Sequence, residues 1–216
     1  MTDLDGDERL ALVPDHLIVW GDVERDGASL GRALGLHPAD GGVHPGGTRN
    51  MIFALDDDRF LEVLGPDPDR SARDWGPRAD HPPGTLWWWA ARAVVPLEDV
   101  RRRLGELGVD TGEIEPGERI RPSGERVGWQ TVDPVPEAFG CALPFVIRWE
   151  AAPPVRAQGN RCTLRRFRLV HPDTAALSSV VSGVRLDRYV EVVAGPAPGV
   201  VATVEGPAGT VELATP

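Results

Sequence analysis

Residues 10–20 read LALVPDHLIVW, an apolar stretch that begins the pattern on which the fold depends. Alternation along a strand places His16 and Trp20 on one face and Leu17 on the other. A helix is predicted over residues 28–36, where ASLGRALGL carries leucines at helical spacing and a glycine near its end. The strands MIFAL and RFLEVLGP follow, joined by a turn at DDDR. The order is therefore one strand, one helix and two or three further strands.

The same order of elements recurs twice along the chain. TLWWWAARAVV, beginning at Thr85, predicts a strand, PLEDVRRRLGELG a helix, and three strand-like stretches follow. We predict an α+β fold of repeated βαβββ modules at 10–66 and 85–150, with a third, smaller βαβββ-like unit at 163–215. One helix covers only one face of a module's sheet, so the other face must meet a second module or enclose a cavity. The predicted architecture is a cupped mixed β-sheet.

The composition excludes several classes of partner. The formal net charge of −10 disfavours nucleic acids and anionic membranes, which such a chain would repel. Cys141 and Cys162 lack metal-ligand spacing and are expected to be reduced core residues. The acidic N-terminus has no apolar signal core, and no window is long and apolar enough for a membrane span. We expect a cytoplasmic protein.

Several stretches resemble one known family. DHLIVW (15–20), HPGGTRN (44–50) and RFLEVLGPDP (59–68) resemble the glyoxalase-like domain family of the vicinal oxygen chelate superfamily, and PFVIRW (144–149) and LRRFRLVHPDTAAL (164–177) also fit. The resemblance implies paired modules that form a cup, often with a divalent metal at its base. It implies either a metal-dependent lyase, isomerase or dioxygenase, or a metal-free protein of the same fold that binds or sequesters a small molecule. A homodimer stays open, because the third unit lacks a partner module.

His16 and Glu62 are the strongest candidates for site residues. Alternation places Glu62 on one face with Phe60 and Leu64, so both candidates point into the cup if Leu17 and its neighbours pack under the helix. A carboxylate among apolar side chains is costly unless it is paired or binds a metal. The resemblance implies that these two positions supply metal ligands, and Glu62 is also the candidate catalytic residue. The alternative is a buried, hydrogen-bonded pair that fixes the strand register.

The second module departs from the metal-dependent pattern. Its first strand reads Trp87–Trp89 where a histidine would be expected, and its last strand offers Ile147 or Arg148 where a glutamate would be expected. A catalytic metal needs about three protein ligands. The sequence therefore leaves open a metal site completed from elsewhere and a metal-free cavity. The other residues that could complete a metal site are His44, His81, Gln130 and Glu150.

A glycine-rich loop and the aromatic residues suggest where a ligand binds. The loop's backbone can approach a ligand closely, its arginine can pair with an acidic group, and aromatic rings suit a flat or hydrophobic molecule. The alternatives are a surface loop and ordinary core packing of the rings. The candidate substrate-binding residues are His44, Thr48, Arg49, Asn50, Trp20, Phe60, Trp88 and Trp149.

Overall fold

The computed structural model describes residues 10–56, 58–69, 80–135, 139–151 and 161–216. Residues 1–9, on which the expectation about a signal peptide partly rests, lie outside the described residues. The α+β fold predicted from the sequence is confirmed, with three helices and twelve strands in the described part of the chain. No helix in the described ranges is long and apolar enough to span a membrane.

The first module folds into four strands and one helix. Asp22 caps the helix by accepting a hydrogen bond from the backbone N–H of Arg25 at 2.9 Å, and Gly35 ends it with a left-handed φ of 71°. The strand order is β1-β4-β3-β2, with β1 and β4 parallel. Its elements are β1 (Val13–Trp20), α1 (Val23–Leu34), β2 (Ala39–Val43), β3 (Thr48–Ala54) and β4 (Phe60–Pro66).

The second module repeats this arrangement. Its strands follow the equivalent order β5-β8-β7-β6, again with the first and last strands parallel. The polar face of its helix carries most of its charged residues, while Leu97, Val100 and Leu104 are buried. Its elements are β5 (Thr85–Arg92), α2 (Leu97–Glu106), β6 (Glu115–Ile120), β7 (Arg126–Val132) and β8 (Phe145–Trp149).

The two modules close into an eight-stranded barrel. Strands β1 and β5 pair antiparallel along their length, whereas β2 meets β6 only where Val43 pairs with Ile120. Gly42 makes this second seam possible, because its φ is 117° and an added Cβ would lie 2.2 Å from the carbonyl oxygen of Ile120. The predicted cup is thus a barrel with an interior of its own.

The third unit shares the order of elements but not the order of strands. Its sheet runs β10-β9-β11-β12, so its first strand pairs with the second and third rather than with the last. The unit packs on the barrel, where Phe167 meets the ring of Trp89 edge to face with centroids 4.8 Å apart. Its elements are β9 (Thr163–His171), α3 (Thr174–Gly183), β10 (Glu191–Ala194), β11 (Gly199–Gly206) and β12 (Gly209–Ala214).

The main hydrophobic core lies between the barrel, the helices and the third unit. Leu17, Val19, Leu61 and Val63 all belong to it. The opposite residues of β1 and β4 therefore point into the barrel, as the alternation predicts.

Candidate functional site

A cavity of about 230 Å³ lies inside the barrel. His16 and Glu62 line it from the two parallel strands of the first module, together with Ile18 and Phe60. Strands β5 to β8 of the second module supply most of the rest of the wall. The structure thus brings together the two residues singled out by strand alternation, and their chemical role stays a prediction.

The side chain of His16 is held by its neighbour Asp15. The register between β1 and β5 shifts between Pro14 and His16, so Asp15 sits in an irregularity and has no partner residue on β5. Asp15 is 0% exposed, and its Oδ1 lies 2.7 Å from Nδ1 of His16. A hydrogen bond in which Nδ1 donates to this carboxylate leaves Nε2 as the ring nitrogen that faces Glu62.

Two further groups stabilise the charge of Asp15. Its Oδ2 accepts a hydrogen bond from Nε1 of Trp149 at 3.1 Å and lies 3.5 Å from Nη1 of Arg92. These contacts give a buried carboxylate polar partners in place of water. Asp15 is not among the residues predicted from the sequence, because regular alternation places it on the face opposite His16. The adjacent Pro14 is a local sign of an irregular strand.

Glu62 lies on the far side of His16 from Asp15. Its Oε2 is 3.6 Å from Nε2 of His16, and its Oε1 accepts a hydrogen bond from the side-chain amide of Asn50, which is fully buried. The ring of His16 also stacks on Phe60, with centroids 4.4 Å apart. Asp15, His16, Glu62 and Asn50 therefore form one continuous polar chain in an otherwise largely apolar wall.

Arg119 is the cationic side chain of the cavity. It is only 2% exposed on β6, and its Nε is buried without a hydrogen-bond partner among the described residues. Burial lowers the pKa of this guanidinium, and attraction to Glu62 opposes that effect. Arg119 is not predictable from the sequence, because GERIRP is a short, polar strand in which an inward-facing arginine looks the same as an exposed one.

The remaining wall is strongly aromatic. Trp87 and Trp88 both line the cavity, because the β1–β5 register places Trp88 opposite Ile18 and then Leu86 opposite Val19, leaving Trp87 in an irregularity. Regular alternation would have put these two rings on opposite faces. The six aromatic rings in the wall are those of Phe60, Trp87, Trp88, Trp129, Phe145 and Trp149.

The candidate loop residues separate into three places. His44 and Thr48 line the cavity and contact each other, with Nδ1 and Oγ1 2.9 Å apart. Asn50 does not line the cavity, and its side-chain amide donates a hydrogen bond to Glu62. Arg49 lies outside the cavity, where its Nη2 pairs with Oε1 of Glu24 at 2.9 Å.

Trp20 also lies away from the cavity. It packs with Ile18 and Leu64 and lines a separate pocket that it shares with Arg49. The alternation prediction for Trp20 gave the correct face of β1, but the residue sits beyond the end of the enclosed space. Of the eight candidate substrate-binding residues, those that line the cavity are His44, Thr48, Phe60, Trp88 and Trp149.

The donor set does not fit a divalent metal. Within the described ranges, no three side chains of His, Cys, Asp or Glu lie together as a metal site would require. His44 and His81 each pair with a threonine hydroxyl at 2.9 Å, and Glu150 pairs with Arg126 at 2.8 Å on the surface. The charge that faces Glu62 from β6 is the guanidinium of Arg119, which would repel a cation.

The sequence matches a known protein family. Residues 15–185 match a family model described as a glyoxalase-like domain. No curated protein matches the sequence.

Several solved structures are similar to the chain at low sequence identity. A hypothetical protein from Staphylococcus aureus is 15% identical, with a TM-score of 0.61 over 94% of this chain and 85% of its own, which shows a common fold. Methylmalonyl-CoA epimerase from Mycobacterium tuberculosis is 17% identical, with a TM-score of 0.42 over 67% of this chain and 91% of its own. A variant of the Streptomyces coelicolor epimerase, in complex with 2-nitronate-propionyl-CoA, is 18% identical, with a TM-score of 0.46 over 66% and 99%.

Proposed function

Because the chain belongs to the glyoxalase-like domain family of the vicinal oxygen chelate superfamily, we propose that it binds a small molecule with a flat, apolar group inside its barrel. The observation that carries this proposal is the ring of six aromatic side chains around one enclosed space. Aromatic walls with a few placed polar groups are the usual composition of a small-molecule site.

The size of the cavity limits the ligand. Its volume of about 230 Å³ is below the roughly 300–1,000 Å³ of most drug-sized ligand pockets. One or two fused rings would fill such a space. Offset or edge-to-face contacts with tryptophan rings would then add about 0.5–1.5 kcal/mol each to the burial of the ligand's surface.

The polar side chains on one part of the wall would fix the orientation of the bound molecule. His16 and Glu62 line one part of the wall, so a donor or acceptor on the ligand would face them while its rings contact the tryptophans. This role requires no metal, since Asp15 and Asn50 already fix both side chains by hydrogen bonds. Such a protein would hold or sequester its ligand.

Calorimetric titration with 2-naphthamide, a neutral two-ring probe, tests the proposal. We expect saturable one-to-one binding to the wild type and none to Thr131→Phe, which places a bulky ring at the half-buried cavity wall. Thr203→Phe, at a half-buried position of the third sheet, is the matched control and should bind as the wild type does. Equal binding by all three proteins, or binding by none, would contradict the proposal.

A second candidate function is metal-free proton transfer. The observation that favours it is the chain from Asp15 through His16 to Glu62, in which an oriented imidazole and a carboxylate share one face of the cavity. Glu62 would accept a proton from a carbon next to a carbonyl group, and the reverse step would return a proton from solvent, so the reaction needs no oxidant.

Deuterium exchange into phenylpyruvate, an aromatic 2-oxo acid with an acidic CH₂ group, tests this second candidate. The protein should accelerate exchange at that carbon over the rate in buffer. Glu62→Gln should abolish the acceleration, whereas the exposed control Glu113→Gln should keep it. Exchange at the rate found in buffer would leave only the binding function.

A further inference from the structure

The unpaired guanidinium of Arg119 indicates what the ligand must carry. We infer that the bound molecule has an anionic group, a carboxylate being the simplest, which pairs with Arg119 inside the barrel. This inference rests on the proposed binding function and narrows its ligand to an aromatic acid. Such an assignment makes Arg119 the residue that determines specificity.

The charge of Arg119 is isolated inside the barrel. Arg119 is 2% exposed, and its Nε is buried with no hydrogen-bond partner in the part of the chain that the structure describes. No ion pair within 4.0 Å joins it to an acidic group among those residues. A buried arginine is ordinarily paired, because an uncompensated charge is costly to remove from water. An acceptor supplied by a ligand would remove that cost.

Glu62 attracts Arg119 without pairing with it. Its Oε1 already accepts the amide of Asn50, and its Oε2 faces Nε2 of His16. The other influences on the guanidinium are repulsion from Arg121 and attraction to Asp40, both weaker than that of Glu62. Asp133, the other acid of the described lining, is exposed to solvent. The donors of Arg119 are thus available to an incoming anion.

The surroundings favour a planar acid. A guanidinium presents a fixed fork of donors that matches a carboxylate, and such bonds are about twice as strong as neutral ones. Trp129 and Trp149, whose centroids are 5.4 Å apart, belong to the same cavity wall. A carboxylate attached to an aromatic ring would therefore satisfy Arg119 while its ring stays among the tryptophans.

A pair of probes with almost the same shape tests the inference. We would titrate 2-naphthoate and 2-naphthamide into the wild type, Arg119→Gln and Arg148→Gln by calorimetry. Arg148 is exposed on β8 and does not line the cavity, so its variant removes one positive charge without touching the site. The wild type and Arg148→Gln should bind naphthoate about tenfold or more tightly than the amide. Arg119→Gln should lose this preference and keep its affinity for the amide.

The outcomes separate this inference from the function on which it rests. Equal affinity of the wild type for both probes would leave aromatic binding standing and would overturn the anion site. A preference that survives in Arg119→Gln would also overturn it. Binding of neither probe would overturn both proposals. If Arg119→Gln does not fold, Arg119→Lys serves instead. This variant keeps the positive charge but loses the planar, bidentate donor geometry of the guanidinium. It should therefore weaken naphthoate binding several-fold more than amide binding.

Discussion

Nδ1 of His16 lies 2.7 Å from Oδ1 of Asp15, the residue immediately before it in the chain. Consecutive residues of a regular strand point to opposite faces, so this contact exists only because the pairing of β1 with β5 is irregular at Asp15. The irregularity gives the cavity an imidazole whose ring is held in place by the neighbouring carboxylate. It also buries a carboxylate whose removal should be measurable.

Asp15→Asn should lower the free energy of unfolding by about 2–3 kcal/mol, because charged hydrogen bonds to His16 and Trp149 become neutral or are lost. Urea denaturation measures this change. Asp187→Asn, at an exposed position, is the control and should change stability by less than about 0.5 kcal/mol. Equal stability of the two variants would mean that Asp15 does not support the site.

Titration with Zn²⁺ or Mn²⁺ should show no stoichiometric binding that depends on His16 or Glu62. The reason is the donor set: two candidate ligands are available where about three are needed, and Arg119 adds a positive charge. Metal analysis of the dialysed protein and calorimetry with wild type, His16→Ala and Glu62→Ala measure this. Tight uptake of one ion by the wild type, lost in both variants, would restore the chelate mechanism.

Gly42→Ala should destabilise the barrel by about 2–3 kcal/mol, since its φ of 117° is strained for alanine and the new methyl group would overlap the carbonyl oxygen of Ile120. Gly46→Ala, in the turn between β2 and β3, is the control. An added Cβ there meets nothing within 4 Å, so its stability should change little. Chemical denaturation of both variants gives the comparison, and similar midpoints would argue against a tight β2–β6 seam.

The thiol of Cys162 should resist alkylation in the folded protein at pH 8. Burial raises its pKa to about 11, so only about one thiol in a thousand is the reactive thiolate at that pH. Burial also raises the pKa of Cys141. Iodoacetamide labelling followed by mass spectrometry should modify Cys162 rapidly only in urea. Rapid labelling without urea would show that this part of the fold opens readily.

The sequence predicts the regular parts of the site well. Alternation along β1 and β4 places His16 and Glu62 on the inner face, because the pairing of these two strands is regular from His16 to Trp20. Arg49 and Asn50 are predicted as parts of one glycine-rich loop. They lie in strand β3 instead, where alternation puts their side chains on opposite faces. The fold class follows from the recurrence of strand, helix and strands.

The unpredicted features arise where strand pairing is irregular or depends on distant contacts. Asp15 and Trp87 occupy the two irregular positions of the β1–β5 pair, and one extra residue reverses the face on which a side chain lies. Arg119 faces inward because β6 closes the barrel, a contact between residues far apart in the chain. The strand order of the third unit likewise depends on pairing rather than on the order of its elements.

The third unit contacts both helices of the barrel modules. The backbone N–H of Ala208 donates to the carbonyl of Leu34 at the end of α1 at 3.1 Å, and Nε of Arg103 on α2 donates to the carbonyl of Gly183 at 3.1 Å. Any outward movement of one module relative to the other would break contacts on this shared support. The third unit therefore couples the two modules to each other, so its own stability bears on the barrel that surrounds the cavity.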